Sequence, residues 1–182
     1  MKIDELNQLV ENEALLNAKL IFFEKKALSK NNLLTKRRYG GGHIKKAEHN
    51  LNFIFDNLKL GYNDWCITGC YYAVYQISLA LILARGYSSK NHDATLCLLI
   101  KEYLKEGVDK EDISLINSLF FSYNDLLFYI QAKNKREEAS YSTKYLFDKE
   151  NVGRLRIKTI DFVNKAKEIL NSILTKLLNS LS

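Results

Sequence analysis

The chain has 182 residues, enough for one domain whose core buries roughly 70% of the unfolded surface, so a stabilising metal or disulfide is not required. It contains no proline and only 8 glycines, which predicts an all-α fold because the strongest helix breakers are nearly absent. The net charge of +6 argues only weakly for nucleic acid, and the three cysteines lack the spacing of a zinc site or a secreted disulfide framework.

The first predicted helix runs from Ile3 to about Leu28. Its apolar residues recur at spacings of mostly three to five, which places them on one helical face. The amino terminus carries early acidic residues and lacks the apolar run of about 7–15 residues that a signal peptide needs. We therefore expect a cytoplasmic protein in which Cys66, Cys70 and Cys97 are reduced core residues.

A basic stretch follows from Lys25 to Lys46, with eight lysines and arginines, no acidic residue and the triplet Gly40-Gly41-Gly42. A flexible basic surface could meet phosphates, and this makes Lys36, Arg37 and Arg38 candidate binding residues. The alternative is a solvated linker between two helices, because unpaired charge runs are usually just solvated. We expect residues 1–43 to form a helix and a basic, glycine-rich linker, and residues 44–178 to form a helical bundle within the same globular unit.

The bundle begins with a predicted helix from Ile44 to Leu60, and Gly61 stands where a left-handed C-terminal cap belongs. The next helix is predicted from about Asp64 to Ala84, and its last 19 residues carry no charge. About 20 apolar residues can cross a bilayer. Polar side chains and three tyrosines interrupt this run, however, and the neighbouring segments have apolar faces to cover it. We interpret the segment as the central, buried helix of the bundle, with no membrane partner.

Three further helices are predicted from the spacing of apolar residues: Ala94 to Leu104, Ile113 to about Ala139, and about Val152 to Leu178. The chain lacks a phosphate-binding loop, a dinucleotide fingerprint and the histidine spacing of a zinc or di-iron site. Its three histidines are scattered. We therefore expect neither a metal site nor a cofactor.

Three short motifs follow one another along the chain, the first on the central helix and the other two between that helix and the last one. They are Cys70-Tyr71-Tyr72-Ala73-Val74-Tyr75, Gly86-Tyr87-Ser88-Ser89-Lys90-Asn91-His92 and Arg136-Glu137-Glu138-Ala139-Ser140-Tyr141. Together they resemble the HEPN superfamily of prokaryotic and eukaryotic nucleotide-binding helical bundles, over roughly residues 44–172. The resemblance implies an up-and-down bundle of four to five core helices, here with an added N-terminal helix.

The resemblance also implies a function and partners. Many family members form homodimers whose cleft gathers polar residues from both subunits, and many cleave RNA without a metal. A frequent partner is a minimal nucleotidyltransferase that acts as antitoxin. Carried over to this chain, the cleft contains Arg136 and Tyr141, with Lys90, Asn134, Tyr71 and Tyr72 as candidate residues for binding RNA or a nucleotide.

The chain departs from the family's ribonuclease motif at one position. Those members carry a histidine four to six residues after the arginine, whereas here Tyr141 occupies the fifth position and no histidine follows His92. Cleavage of RNA by its own 2′-hydroxyl needs a cation for the phosphate and a group that moves protons near neutral pH. Arg136 can supply the cation. The candidate catalytic residues are therefore Arg136, Tyr141 and His92.

Plainer interpretations of the same residues remain open. Arg136 could be a cation favoured by the dipole at the end of its helix, and His92 could be a residue of a helix start. The tyrosines of the first motif could be core and interface aromatics. Two functions follow: a toxin-like effector of a two-component system that acts on RNA, or a non-catalytic adaptor that binds a nucleotide or a protein.

Overall fold

The structure is a computed structural model that describes residues 1–24, 28–30, 33–120 and 149–179, with the backbone alone at 28–30, 33–40 and 177–178. Within these ranges the chain is an all-α bundle with one short antiparallel sheet. The elements are α1 (Ile3–Glu11), α2 (Glu13–Glu24), β1 (Leu28–Lys30), α3 (Leu33–Leu60), α4 (Asn63–Ala84), β2 (Tyr87–Ser89), α5 (His92–Tyr103), α6 (described over 110–120) and α7 (Lys149–Asn179).

The central helix is α4, as its uncharged sequence predicts. It packs against α3, α5, α7 and β2, and Ile77, Leu81 and Ile82 on it are completely buried. By length and composition α4 could cross a membrane, but 67% of its most apolar stretch is buried inside the molecule. This is the environment of the core helix of a soluble domain.

The amino-terminal segment forms two helices instead of the single one predicted from Ile3 to Leu28. The break lies at Asn12, whose backbone is extended. The Asn12 side-chain oxygen accepts a hydrogen bond from the Leu15 amide at 3.0 Å, as an N-cap residue does. Asn12 thus ends α1 and caps α2. The break was not predicted because the apolar spacing continues across Asn12.

The third helix also differs from the sequence-based expectation. It begins at Leu33, so Lys36, Arg37, Arg38 and the triplet Gly40-Gly41-Gly42 lie inside a helix, where we expected a linker up to residue 43. The expected start at Ile44 was therefore wrong by about three helical turns. Helix propensity is a weak guide that tertiary contacts override. One such contact joins His43 Nδ1 to Gln76 Oε1 of α4 at 2.7 Å.

The turn between α3 and α4 agrees with the sequence-based expectation. Gly61 adopts a left-handed conformation with φ of 81°. Its amide donates to the Leu58 carbonyl, and the amide of Tyr62 donates to the Asn57 carbonyl at 2.9 Å. These two bonds form a Schellman motif, which satisfies the last carbonyls of α3 and reverses the chain into α4.

The core is continuous from α1 to α7 across the described residues. The three cysteines are buried and unpaired, as expected. Burial raises the pKa of the Cys70 and Cys97 thiols to about 12, which keeps both protonated and unreactive near neutral pH.

Candidate functional site

The second sequence motif builds the turn that positions His92. Gly86, with φ of 90°, ends α4, and the following strand β2 pairs with β1 in antiparallel register, Ser88 opposite Ser29. The Asn91 side chain then caps α5 by accepting from the Ala94 amide at 2.9 Å. The backbone on both sides of the motif is therefore fixed, and His92 becomes the first residue of α5.

The imidazole of His92 contacts the first motif. Its Nε2 lies 2.8 Å from the hydroxyl of Tyr71, in the middle of α4. Tyr71 is only 3% exposed, whereas His92 is half-buried, so the phenol lies in the core and the imidazole reaches the surface. The hydrogen bond occupies one ring nitrogen and holds the orientation of the ring.

Two further aromatic rings enclose this pair. The ring of Tyr75, one turn after Tyr71 on α4, lies nearly parallel to the imidazole with centroids 5.1 Å apart. Phe120 meets the imidazole edge-on at 4.5 Å. We call these four residues, Tyr71, Tyr75, His92 and Phe120, the Tyr–His cluster.

The Tyr–His cluster is electrostatically unusual because an ionisable group is surrounded by aromatic carbon. Burial lowers the pKa of His92 below its ordinary value of 6.5, and the opposing effect of the neighbouring Asp93 carboxylate is smaller. His92 is therefore neutral at pH 7. Burial also raises the pKa of Tyr75, which keeps that phenol protonated. A neutral, oriented imidazole at a surface can accept a proton from a bound ligand.

The structure locates four of the residues predicted to belong to the site. Tyr71 and His92 are in contact, Lys90 is exposed two residues before His92, and Tyr72 is 37% exposed beside Tyr71 on α4. Lys36, Arg37 and Arg38 lie within α3, where the structure describes the backbone alone. The remaining predicted residues lie outside the described ranges: Asn134, Arg136 and Tyr141.

Three contacts of this region were not anticipated from the sequence. Phe120 was recognised only as part of an apolar helical face, and Tyr75 only as part of a motif. The bond between His43 and Gln76 was not predicted, although Gln76 directly follows Tyr75. Side-chain contacts between distant segments leave no local pattern, and for this reason sequence spacing could not reveal them.

The described part of the chain holds no group of three or more metal-ligating side chains. The expectation of a metal-free site stays a prediction.

The fold and the Tyr–His cluster define a class: a small all-α bundle with a tyrosine of its central helix bonded to the histidine that opens the next helix. The family model for the HEPN domain matches residues 42–174, well over half of the chain. The protein belongs to the HEPN domain family.

Two proteins that are similar to this chain come from archaea. A protein of Methanocaldococcus jannaschii named "Putative toxin MJ0142" is 28% identical over 130 residues, which cover 71% of this chain and 80% of the relative. A protein of Archaeoglobus fulgidus named "UPF0332 protein" is 27% identical over 128 residues, covering 70% of this chain and 92% of the relative. This chain is thus similar to a protein that bears a toxin name.

Proposed function

We propose that this protein is the toxin-like effector of a cytoplasmic two-component system and that it cleaves RNA without a metal. The observation that carries the proposal is the neutral, half-buried His92, held in place by the Tyr71 hydroxyl at 2.8 Å. Members of the family that lack a histidine near the arginine need another group to move the proton. His92 has the protonation state and the surface position for that role.

The reaction proceeds in one displacement. The 2′-hydroxyl of a ribose attacks the adjacent phosphorus, and the proton of that hydroxyl passes to the free nitrogen of His92. The bond from phosphorus to the 5′-oxygen breaks, and this oxygen takes a proton from water as it leaves. His92 afterwards releases its proton to water. The products are a 2′,3′-cyclic phosphate and a free 5′-hydroxyl. Tyr71 does not touch the RNA in this scheme; it is a positioning residue that fixes which edge of the imidazole faces the ligand.

The arginine of the third motif supplies the positive charge in this proposal. Arg136 holds the phosphate with its planar guanidinium, which suits two phosphate oxygens at once. Tyr141, whose ordinary pKa near 10 makes it a poor base, donates a hydrogen bond to the same phosphate. Lys90, Asn134 and Tyr72 extend the contact to neighbouring nucleotides.

The proposed partners follow from membership of the family. A homodimer would bring two such sites to one cleft, and a minimal nucleotidyltransferase would act as the antitoxin. The toxin name of the relative from Methanocaldococcus jannaschii supports a toxin-like role.

Cleavage of a structured RNA by the purified full-length protein, in the presence of EDTA, tests the proposal. We expect Arg136→Ala to lower the initial rate by about 100-fold or more, because the fixed positive charge stabilises the transition state. The products should carry a cyclic phosphate end. Equal rates for the wild type and Arg136→Ala would exclude this mechanism.

A non-catalytic adaptor is the second candidate function. The absence of any histidine after His92 favours it, since the family's ribonuclease motif is then incomplete. An adaptor would bind a nucleotide or a partner protein in the same cleft and leave RNA intact. Cleavage that depends on Arg136 would exclude this candidate.

A further inference from the structure

A cleft lies between α6 and α7, and its lining residues are distinct from those of the Tyr–His cluster. It has a volume of about 530 Å³, within the range of ligand pockets. One wall is a single face of α6 at spacings of three and four residues, and the other is a single face of α7 with the same spacing. Its lining residues are Lys110, Glu111, Ser114, Leu115, Ser118, Asn151, Arg154, Leu155 and Lys158.

The cleft is positively charged. Lys110, Arg154 and Lys158 oppose the single carboxylate of Glu111. Two of these cations have acidic neighbours: Arg154 bonds to Glu150 at 2.7 Å, and Lys110 lies 3.5 Å from Glu11. Both pairs are well exposed, so they contribute little to stability and can exchange for a stronger anion.

The neutral residues of the cleft suit the same kind of ligand. The exposed Ser114 hydroxyl and the Asn151 amide nitrogen can donate to phosphate oxygens, as serine and asparagine commonly do at nucleic-acid backbones. The Asn151 side-chain oxygen accepts from Arg154, and the Ser118 hydroxyl donates to the Leu115 carbonyl at 2.8 Å. Leu115 and Leu155 are half-buried and form an apolar floor on which a sugar or a base edge can rest.

We propose that this cleft, here called the α6–α7 cleft, binds the sugar–phosphate backbone of single-stranded RNA. The inference rests on the proposed function, because it gives the RNA substrate a second contact. The α6 wall runs from Lys110 to Ser118, eight steps along the helix or about 12 Å at 1.5 Å per step, which is long enough for more than one nucleotide. Ser118 and Asn151 are also three positions in sequence from the ends of the segment 121–148, which carries Arg136.

Fluorescence anisotropy with a labelled 2′-O-methyl oligouridylate tests the α6–α7 cleft. This probe has no free 2′-hydroxyl and cannot be cleaved, so binding is measured apart from catalysis. The test variant is the full chain with Arg154→Gln and Lys158→Gln. The matched control carries Lys101→Gln and Lys105→Gln, which remove the same charge from exposed positions that do not line the cleft.

We expect the cleft variant to bind more weakly and with less dependence on salt. The slope of log Kobs against log salt should fall by about 1.4, since each phosphate contact on a single strand contributes about 0.7. The control should change the slope much less. Circular dichroism melting of both variants should match the wild type, because all four side chains are at the surface.

Equal losses of affinity for the oligonucleotide in the cleft variant and the control would overturn the α6–α7 cleft as an RNA site, because the change in net charge alone would explain both. Binding of an acidic peptide without binding of the oligonucleotide would also overturn it. If His92 and Arg136 still controlled cleavage in that case, the proposed function would stand without this second site. If only the cleft variant lost affinity for the oligonucleotide and the wild type did not cleave RNA, the α6–α7 cleft would stand as an RNA site. The adaptor would then be the function.

Discussion

The hydrogen bond between Tyr71 and His92 joins residues that are 21 positions apart. It gives the hydroxyl of a buried phenol a polar partner at the edge of the core. The imidazole gains a fixed orientation, and its burial favours the neutral form. One bond thus serves both packing and the proposed chemistry.

Tyr71→Phe removes this bond and keeps the aromatic ring. We expect the free energy of unfolding to fall by about 1 kcal/mol, the usual value of a hydrogen bond between partly buried groups. Urea unfolding at pH 7 measures the change.

The matched control for that substitution is Tyr62→Phe, because Tyr62 is 54% exposed. Its effect should stay within about 0.5 kcal/mol, as for most surface changes. Equal effects of the two substitutions would show that the Tyr71 hydroxyl does not stabilise the fold through His92.

Tyr71 and His92 were both predicted from the sequence as site residues, but their contact was not. Tyr71 and His92 belong to separate motifs, and each also had a structural explanation. The contact depends on the turn built by Gly86, Ser89 and Asn91, whose geometry only the folded chain supplies. Arg136 and Tyr141 were predicted from a motif alone, and their roles stay predictions.

At the scale of elements, α4 packs tightly against side chains of α3 at Gly69. A Cβ atom at this position would lie 2.6 Å from Cγ1 of Ile54 and 3.2 Å from Cδ1 of Phe53. Ile54 is completely buried and branched at Cβ, so it cannot move aside easily. The glycine is therefore required by packing and not by backbone conformation.

Gly69→Ala should destabilise the protein by about 1–3 kcal/mol through overpacking, although alanine is the better helix former. Thermal unfolding followed by circular dichroism would measure the change.

Gly153→Ala is the control for this substitution, because Gly153 lies in α7 with open space around it. It should stabilise the protein by about 0.5–1 kcal/mol through helix propensity alone. A stabilising effect at both positions would contradict the close contact of α3 with α4.

Elements with a strong local signal were predictable from the sequence. The 19 uncharged residues of α4 and the cap at Gly61 are examples, because burial and left-handed backbone leave clear marks in sequence. The glycine triplet of α3 pointed to a linker, yet the helix continues through it. The strands β1 and β2 have three residues each, too few for any alternating pattern.

At the scale of the whole molecule, Lys165 connects the start of α6 to α7. Its Nζ donates to Asp109 at 2.7 Å and to Asp112 at 2.6 Å. These two aspartates also cap each other's backbone amides. Hydrogen bonding from Lys165 lowers the pKa of Asp109. Burial works against the charge of Lys165, but the two carboxylates outweigh it and its pKa is raised.

Lys165→Met should therefore lower stability at pH 7 by about 1 kcal/mol, after allowance for solvent screening of a partly exposed pair. A carboxyl whose pKa is lowered by folding stabilises the protein above its unfolded pKa near 3.9, and this contribution is lost as pH falls through the folded pKa. The difference in the free energy of unfolding between the wild type and Lys165→Met should shrink below about pH 4. Urea unfolding between pH 3 and pH 7 measures it.

Lys105→Met is the control for the pH series, since Lys105 is exposed in the turn after α5. Its effect should be small and independent of pH. A Lys165→Met effect that stays constant down to pH 3 would contradict the role of the aspartates.

The HEPN family model and the described helices establish the bundle. We propose that within it His92 moves protons during RNA cleavage. The most direct measurement is the initial rate of RNA cleavage by His92→Gln, compared with the rate of His49→Gln, which changes an exposed histidine on α3. We predict a loss of about 100-fold or more for His92→Gln, the usual contribution of a general base, and a wild-type rate for His49→Gln. Wild-type cleavage by His92→Gln would contradict the claim.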